Sequence, residues 1–259
     1  MLLTLDVGNT EITVGLFSGD RLEGHWRLTT NPDRTPDEWG VALGAFLFHA
    51  GHSPNAVRAS VIASVAPGVT QSLASGIRGL TGSAVRVVDA TSPLPITLDV
   101  DEPRTVGADR IINTLAAVDR FHADTIVVDF GTATTFDCIT ADARFIGGVI
   151  MPGLRTSADQ LTQRAAKLPA TELEPPSRAI GRRTEECIRA GVLFGTADAV
   201  DGIVRRIIAE WPTGRPPGVV ATGGLAGIIV PLTTTIELID PDLTLHGLRL
   251  AARHLGIGW

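Results

Sequence analysis

Short apolar runs at residues 2–7 and 12–17 and an alternating stretch at 21–28 are separated by Gly8-Asn9 and Ser18-Gly19-Asp20. Runs of that length bounded by turn residues are strands, so the pattern predicts an opening three-stranded meander. Apolar positions then recur at helical spacing over 35–50, with Trp39, Leu43, Phe46 and Leu47 on one face. A strand over 57–65, a helix over 68–80 and a strand over 85–88 complete a βββαβαβ order. Beyond a Pro-rich segment at 92–103, a helix is expected over 106–121, and after it a second series begins.

The second series opens as the first does. Asp6-Val7-Gly8-Asn9-Thr10 followed by the run 12–17 returns as Asp129-Phe130-Gly131-Thr132-Ala133-Thr134 followed by 135–139, with a third strand near 145–148. Further helices are expected around 157–166, 184–210 and 245–255, and a strand at 219–222. A repeat at a separation of about 120 residues predicts an α/β protein of two similar domains facing each other across a central cleft. The division is placed at 1–118 and 119–259.

Composition narrows the class. With 44% hydrophobic and 19% charged residues the chain has the makings of a sizeable core. The formal net charge of -6 supplies no cationic excess for a phosphate backbone, so no nucleic-acid partner is expected. No apolar run approaches the ~20 residues of a membrane span, and no membrane partner is expected. Two cysteines, Cys138 and Cys187, and a start without a basic, then apolar, leader point to the cytoplasm.

Each copy of the motif places an Asp at the end of an apolar strand, then a tight Gly turn with Thr. Backbone N–H groups and hydroxyls of such a turn can cradle phosphate while the Asp holds hydrated Mg²⁺. One Asp-x-Gly-x-Thr is ordinary turn chemistry; two in register are not. A Walker A loop and a G-x-G-x-x-G fingerprint are both lacking, which sets aside P-loop enzymes and dinucleotide dehydrogenases. Ala221-Thr222-Gly223-Gly224-Leu225-Ala226 follows a late strand, where close backbone approach would admit the adenosine end of a nucleotide or simply pack a helix. Gly107-Ala108-Asp109-Arg110 opens a helix. Asp109 there suits the helix dipole, and equally suits accepting a proton from a substrate hydroxyl, while the planar Arg110 suits a carboxylate.

Together with Val128–Thr135, Gly147-Gly148 to Pro152-Gly153 and Ala165 to Pro169, these segments resemble the type III pantothenate kinases in order and spacing over nearly the whole chain. The resemblance implies duplicated actin-like (ribonuclease H-like) domains of the acetate kinase, sugar kinase, Hsp70 and actin superfamily. It implies transfer of the ATP γ-phosphate to pantothenate, the first step towards coenzyme A, by a homodimer using Mg²⁺ and a monovalent cation, K⁺ or NH4⁺. On that resemblance Asp6, Val7, Gly8, Asn9, Thr10, Glu11, Ile12 and Thr13 form the ATP phosphate loop, with Asp6 supporting Mg²⁺ through water. Thr132, Gly223 and Gly224 also meet ATP, and Asp129 is the K⁺ ligand. Gly107, Ala108, Asp109 and Arg110 bind pantothenate, with Asp109 the proton acceptor, and Thr184 reaches pantothenate across the dimer.

Two positions depart from the family pattern. A tyrosine that helps bind pantothenate usually precedes the Gly-Ala-Asp-Arg segment; this chain has no tyrosine, and Val100 occupies the place. Arg183 stands where an Asn commonly precedes the equivalent of Thr184. They keep two alternatives open: a nucleotide-binding regulatory homologue without catalysis, and a kinase of another small hydroxy acid.

Overall fold

The computed structural model describes residues 1–259. In chain order its first elements are β1 (Leu2–Val7), β2 (Glu11–Ser18), β3 (Arg21–Thr29), α1 (Pro36–His49), β4 (Ala59–Ser64), α2 (Pro67–Thr81) and β5 (Ala84–Val88). Then come β6 (Thr97–Leu98), α3 (Ala108–Phe121), β7 (Thr125–Phe130), β8 (Ala133–Thr140) and β9 (Arg144–Pro152). The chain closes with α4 (Leu154–Arg164), α5 (Thr184–Ala209), β10 (Gly218–Thr222), α6 (Ala226–Ile229), β11 (Leu238–Ile239) and α7 (Leu243–His254).

The chain divides into two units. The first comprises Met1–Arg120, Ala143–Phe145 and Asp242–Trp259. Its sheet runs β3-β2-β1-β4-β5, the meander antiparallel and β4 and β5 parallel to β1. Alternation along β1 and β4 sends Leu3, Leu5 and Ile62 to one face, where α1 and α2 cover them with Trp39, Leu43, Leu73 and Ile77. Leu2, Val61 and Ala63 go to the other face, against Ile111, Ile112 and Leu115 of α3 and Leu245 and Leu248 of α7. Helix α1 starts at a capping box: the Glu38 amide donates to Thr35 Oγ1 at 3.3 Å and the Thr35 amide to Glu38 Oε2 at 2.7 Å.

The closing helix was expected in the second domain, and the structure places it in the first. Two glycines bring it there. A Cβ on Gly247 would stand 2.3 Å from the Ile112 carbonyl, and one on Gly15 would stand 2.7 Å from Thr4 Oγ1 and 3.1 Å from Leu245 Cδ1. Without side chains at those points α7 lies directly on α3 and β2.

The second unit, Phe121–Asp142 and Ile146–Pro241, repeats the first sheet's order as β11-β10-β7-β8-β9. Strands β7 and β8 are antiparallel, and β10 and β11 run parallel to β7. Ile126, Val128, Phe136 and Ala221 pack with Leu193, Val200 and Val204 of α5. Helix α4 begins at Leu154, three residues before the expected start, because Gly153 takes the extended N-cap conformation. The strands β6 and β11 were not expected, since two-residue strands leave no periodicity to read. No helix is long and apolar enough to cross a membrane.

Candidate active site

Each unit carries one copy of the repeated hairpin. In the first, Asp6 stands opposite Thr13 and Val7 opposite Ile12. The Gly8 amide donates to the Glu11 carbonyl at 3.0 Å, closing the turn. Thr30 clamps it from the end of β3: its hydroxyl donates to the Gly8 carbonyl at 2.7 Å and its amide to the Thr10 carbonyl at 2.9 Å. Asn9, Thr10 and Glu11 are exposed, and Asp6, Gly8 and Thr13 are half-buried. Val7 and Ile12 are fully buried in the core, so those two positions of the expected phosphate loop present no side chain at the surface.

The second hairpin repeats the geometry, with Asp129 opposite Thr135 and Phe130 opposite Thr134. The Gly131 amide donates to the Ala133 carbonyl at 3.1 Å. Thr132 is exposed, and its carbonyl accepts from the Gly153 amide at 3.1 Å and the Thr156 hydroxyl at 2.7 Å. The helix α4 thus ties down the tip of the loop. A Cβ on Gly153 would lie 2.3 Å from the Thr132 carbonyl and 2.5 Å from that of Gly131, both backbone atoms with nowhere to swing. Gly153→Ala is therefore expected to destabilise by about 2 kcal/mol through overpacking. Thermal melts of the two proteins check this, and an unchanged midpoint would remove the clamp.

The glycine pair after β10 lies close to the end of β7. Gly223 adopts φ 91, and a Cβ there would meet Asp129 Oδ1 at 2.5 Å and the Phe130 amide at 2.7 Å. Its close approach is to the end of β7, so it seats the Asp of the motif; Gly224 is the exposed member of the pair.

In the first unit, Gly107 precedes α3 and its carbonyl accepts from the Ile111 amide at 3.2 Å. The Asp109 carboxylate folds back, accepting from the Arg110 amide at 2.8 Å. A Cβ on Gly107 would stand 2.5 Å from Asp109 Oδ1, so the glycine makes room for the carboxylate. Burial pushes the Asp109 carboxyl above the ordinary carboxylate range, against the pull of the Arg110 amide and guanidinium. Ala108 is buried, and with Gly107 it lines a cavity of about 620 Å³. The Arg110 guanidinium lies over the Phe145 ring, 4.9 Å from its centroid. Val100 is half-buried and follows Asp99, which pairs with Arg144.

Thr184 is exposed and is the first residue of α5, with Arg183 as the N-cap residue. It lines a cavity of about 580 Å³ in the second unit with Met151, Ser157, Leu161 and Cys187. The helix start is held by Glu186, which accepts from the Arg182 amide at 2.8 Å. Thr30, Phe145 and Thr156 went unread as site residues: two hydroxyls bonding to carbonyls and a strand aromatic carry no sequence signal of their own.

Nowhere do three or more His, Cys, Asp or Glu side chains converge as a metal cage. A half-buried Asp6 beside an exposed polar turn instead fits a Mg²⁺ that keeps its waters and arrives with phosphates. Asp129, half-buried with one oxygen against the bare Cα of Gly223, is an oxygen donor suited to a hard monovalent cation.

Two units of one α/β topology, each with an Asp-Gly-Thr hairpin, define the duplicated actin-like class that includes sugar kinases. The structure is similar to a ROK hexokinase from Thermus thermophilus, with TM-score 0.53 and 16% identity, covering 97% of each chain. Residues 2–206 match the family model of type III pantothenate kinase. Proteins of that name from Thermomicrobium roseum and Moorella thermoacetica are 44% and 43% identical, over 97% and 96% of this chain and 96% and 98% of theirs. The chain belongs to the type III pantothenate kinase family.

Proposed function

We propose that the protein transfers the γ-phosphoryl group of ATP to the hydroxyl of pantothenate, giving 4′-phosphopantothenate and ADP. The observation that carries the reading is the Asp109–Arg110 pair at the start of α3 in a member of this family: a carboxyl pushed up by burial beside a guanidinium seated on an aromatic ring. Asp109 accepts the hydroxyl proton as the acceptor oxygen bonds to the γ-phosphorus and the bond to the β-phosphate oxygen breaks. Arg110 pairs with the acceptor's carboxylate as a fork. The turns at Gly8-Asn9-Thr10 and at Thr132 serve the phosphates of ATP, and Gly224 its adenosine end. Val100 and Thr184 border the acceptor, Thr184 from the partner copy of a homodimer. Mg²⁺ held through water by Asp6 and a K⁺ or NH4⁺ at Asp129 would neutralise phosphate charge. The reaction belongs to the cytoplasm, where ATP and the acceptor meet.

The test is ADP release from Mg-ATP by the purified protein, run with and without pantothenate and in K⁺ against Na⁺. Turnover that requires pantothenate and rises in K⁺ is expected. Nucleotide binding without turnover would replace this reading by a regulatory homologue, and turnover with a different hydroxy acid would move the acceptor.

A further inference from the structure

A guanidinium on a flexible three-carbon stem recognises a carboxylate well only when its plane is already set. Arg110 has a fixed support. Its Cζ lies 4.9 Å from the centroid of the Phe145 ring, within the range at which a cation is drawn to an aromatic face. The ring cannot give way, because Phe145 is 1% exposed. Its backbone is anchored as well. Leu98 of β6 pairs with Phe145, the Asp99 amide donates to the Phe145 carbonyl at 2.9 Å, and the Thr97 amide donates to the Ala143 carbonyl at 2.9 Å. The Asp99–Arg144 ion pair ties the same two segments from their side chains.

We propose that Phe145 is a positioning residue for acceptor recognition: its ring holds the Arg110 guanidinium in place, so that its N–H groups reach the acceptor's carboxylate. This rests on the carboxylate role given to Arg110 above. A cation–π contact draws on the charge of the guanidinium and not on its N–H groups, and it is the N–H groups that a bidentate fork uses. The short strand β6 then has a function beyond packing, since it keeps the ring in register. It also leads straight to Val100, so one strap sets both the aromatic support and the position where the family tyrosine is missing.

The experiment compares two acceptors, pantothenate and pantothenol, its analogue with an alcohol in place of the carboxylate. Phe145→Leu keeps an apolar side chain at the buried position and removes the π face. It is expected to raise KM for pantothenate about tenfold with kcat within twofold, and to leave kcat/KM for pantothenol unchanged. A trifluorinated phenylalanine at 145 keeps the ring's shape and weakens its negative face; a KM rise of about threefold for pantothenate alone is expected, and this variant decides the matter if the leucine variant fails to fold. Equal losses with both acceptors, or no loss with pantothenate, would overturn the proposal. Arg110→Lys separates the two layers. If it leaves the preference for pantothenate intact, the carboxylate role of Arg110 fails and takes this proposal with it. If it abolishes the preference while both Phe145 variants do not, only the positioning role fails.

Discussion

Asp109→Asn is expected to lower kcat for phosphoryl transfer to pantothenate by roughly 10²–10⁴-fold, the usual worth of a positioned general base, while leaving thermal stability unchanged or raised. Both halves follow from one fact. Burial raises the Asp109 carboxyl above its ordinary value. In the window between the unfolded pKa of about 3.9 and the higher folded one, the unfolded chain has released a proton that the folded chain still holds. Folding is then favoured less as pH rises through that window, so above it the ionised carboxylate is a net burden on the fold. Asparagine keeps the shape, can still accept from the Arg110 amide, and carries no charge to desolvate. The measurement is kcat together with the thermal midpoint of both proteins near neutral pH. A variant retaining a tenth or more of the activity would sink the base assignment, and one that loses activity and stability together would make Asp109 a structural residue. The same burial places the acid limb of the kcat/KM profile above the ordinary carboxylate range. Gly107→Ala makes a milder companion. Its Cβ would stand 2.5 Å from Asp109 Oδ1, and the carboxylate is free to swing away. The base is then displaced without loss of the fold, and kcat should drop by about tenfold with stability changed by less than about 1 kcal/mol.

The repeated hairpins were legible because each is local. An apolar strand, an Asp, a Gly turn and a second apolar strand are consecutive in sequence, and their recurrence distinguishes them from ordinary turns. Helix α1 was legible for the same reason, since Trp39, Leu43, Phe46 and Leu47 recur at helical spacing within one stretch. What could not be read is what depends on distant approach. Gly247 and Gly15 decide that α7 joins the first unit, and their sequence neighbours say nothing of Ile112 or Thr4. Gly223 is the sharper case. A glycine pair after a strand suggests room for a ligand, yet the bare Cα faces Asp129 and Phe130 of its own sheet. Two-residue strands such as β6 are invisible to periodicity, although β6 aligns Phe145 under Arg110. The hairpins and the helix that opens at Asp109 were therefore readable, and the residues that hold them in place were not.

The largest expected effect on stability lies away from the site, at Asp201. This carboxylate, 5% exposed on α5, accepts from both the amide and the hydroxyl of Thr234 and of Thr235. Four donors of the turn before β11 thus converge on one side chain, and the turn is tied to the long helix of the second unit. Removing the acceptor leaves four donors without it, those of Thr234 at the surface and those of Thr235 half-buried. Asp201→Ala is expected to cost about 2–3 kcal/mol, the worth of hydrogen bonds to a charged group that water only partly replaces. Asp201→Asn should also destabilise, because its amide group presents hydrogens to donors that need an acceptor. The pH dependence separates this account from simple loss of packing. Burial alone would raise the Asp201 pKa, but the hydroxyl and amide hydrogen bonds of Thr234 and Thr235 outweigh it and hold the group below its ordinary value. A carboxyl depressed in the folded state stabilises fully above its unfolded pKa, and that stabilisation is lost as pH falls through the folded one. The stability gap between wild type and Asp201→Asn, read from denaturant midpoints, should be widest near neutral pH and should shrink as pH falls below about 4. A gap that stays constant over that range would mean that the charge on Asp201 does not hold the turn.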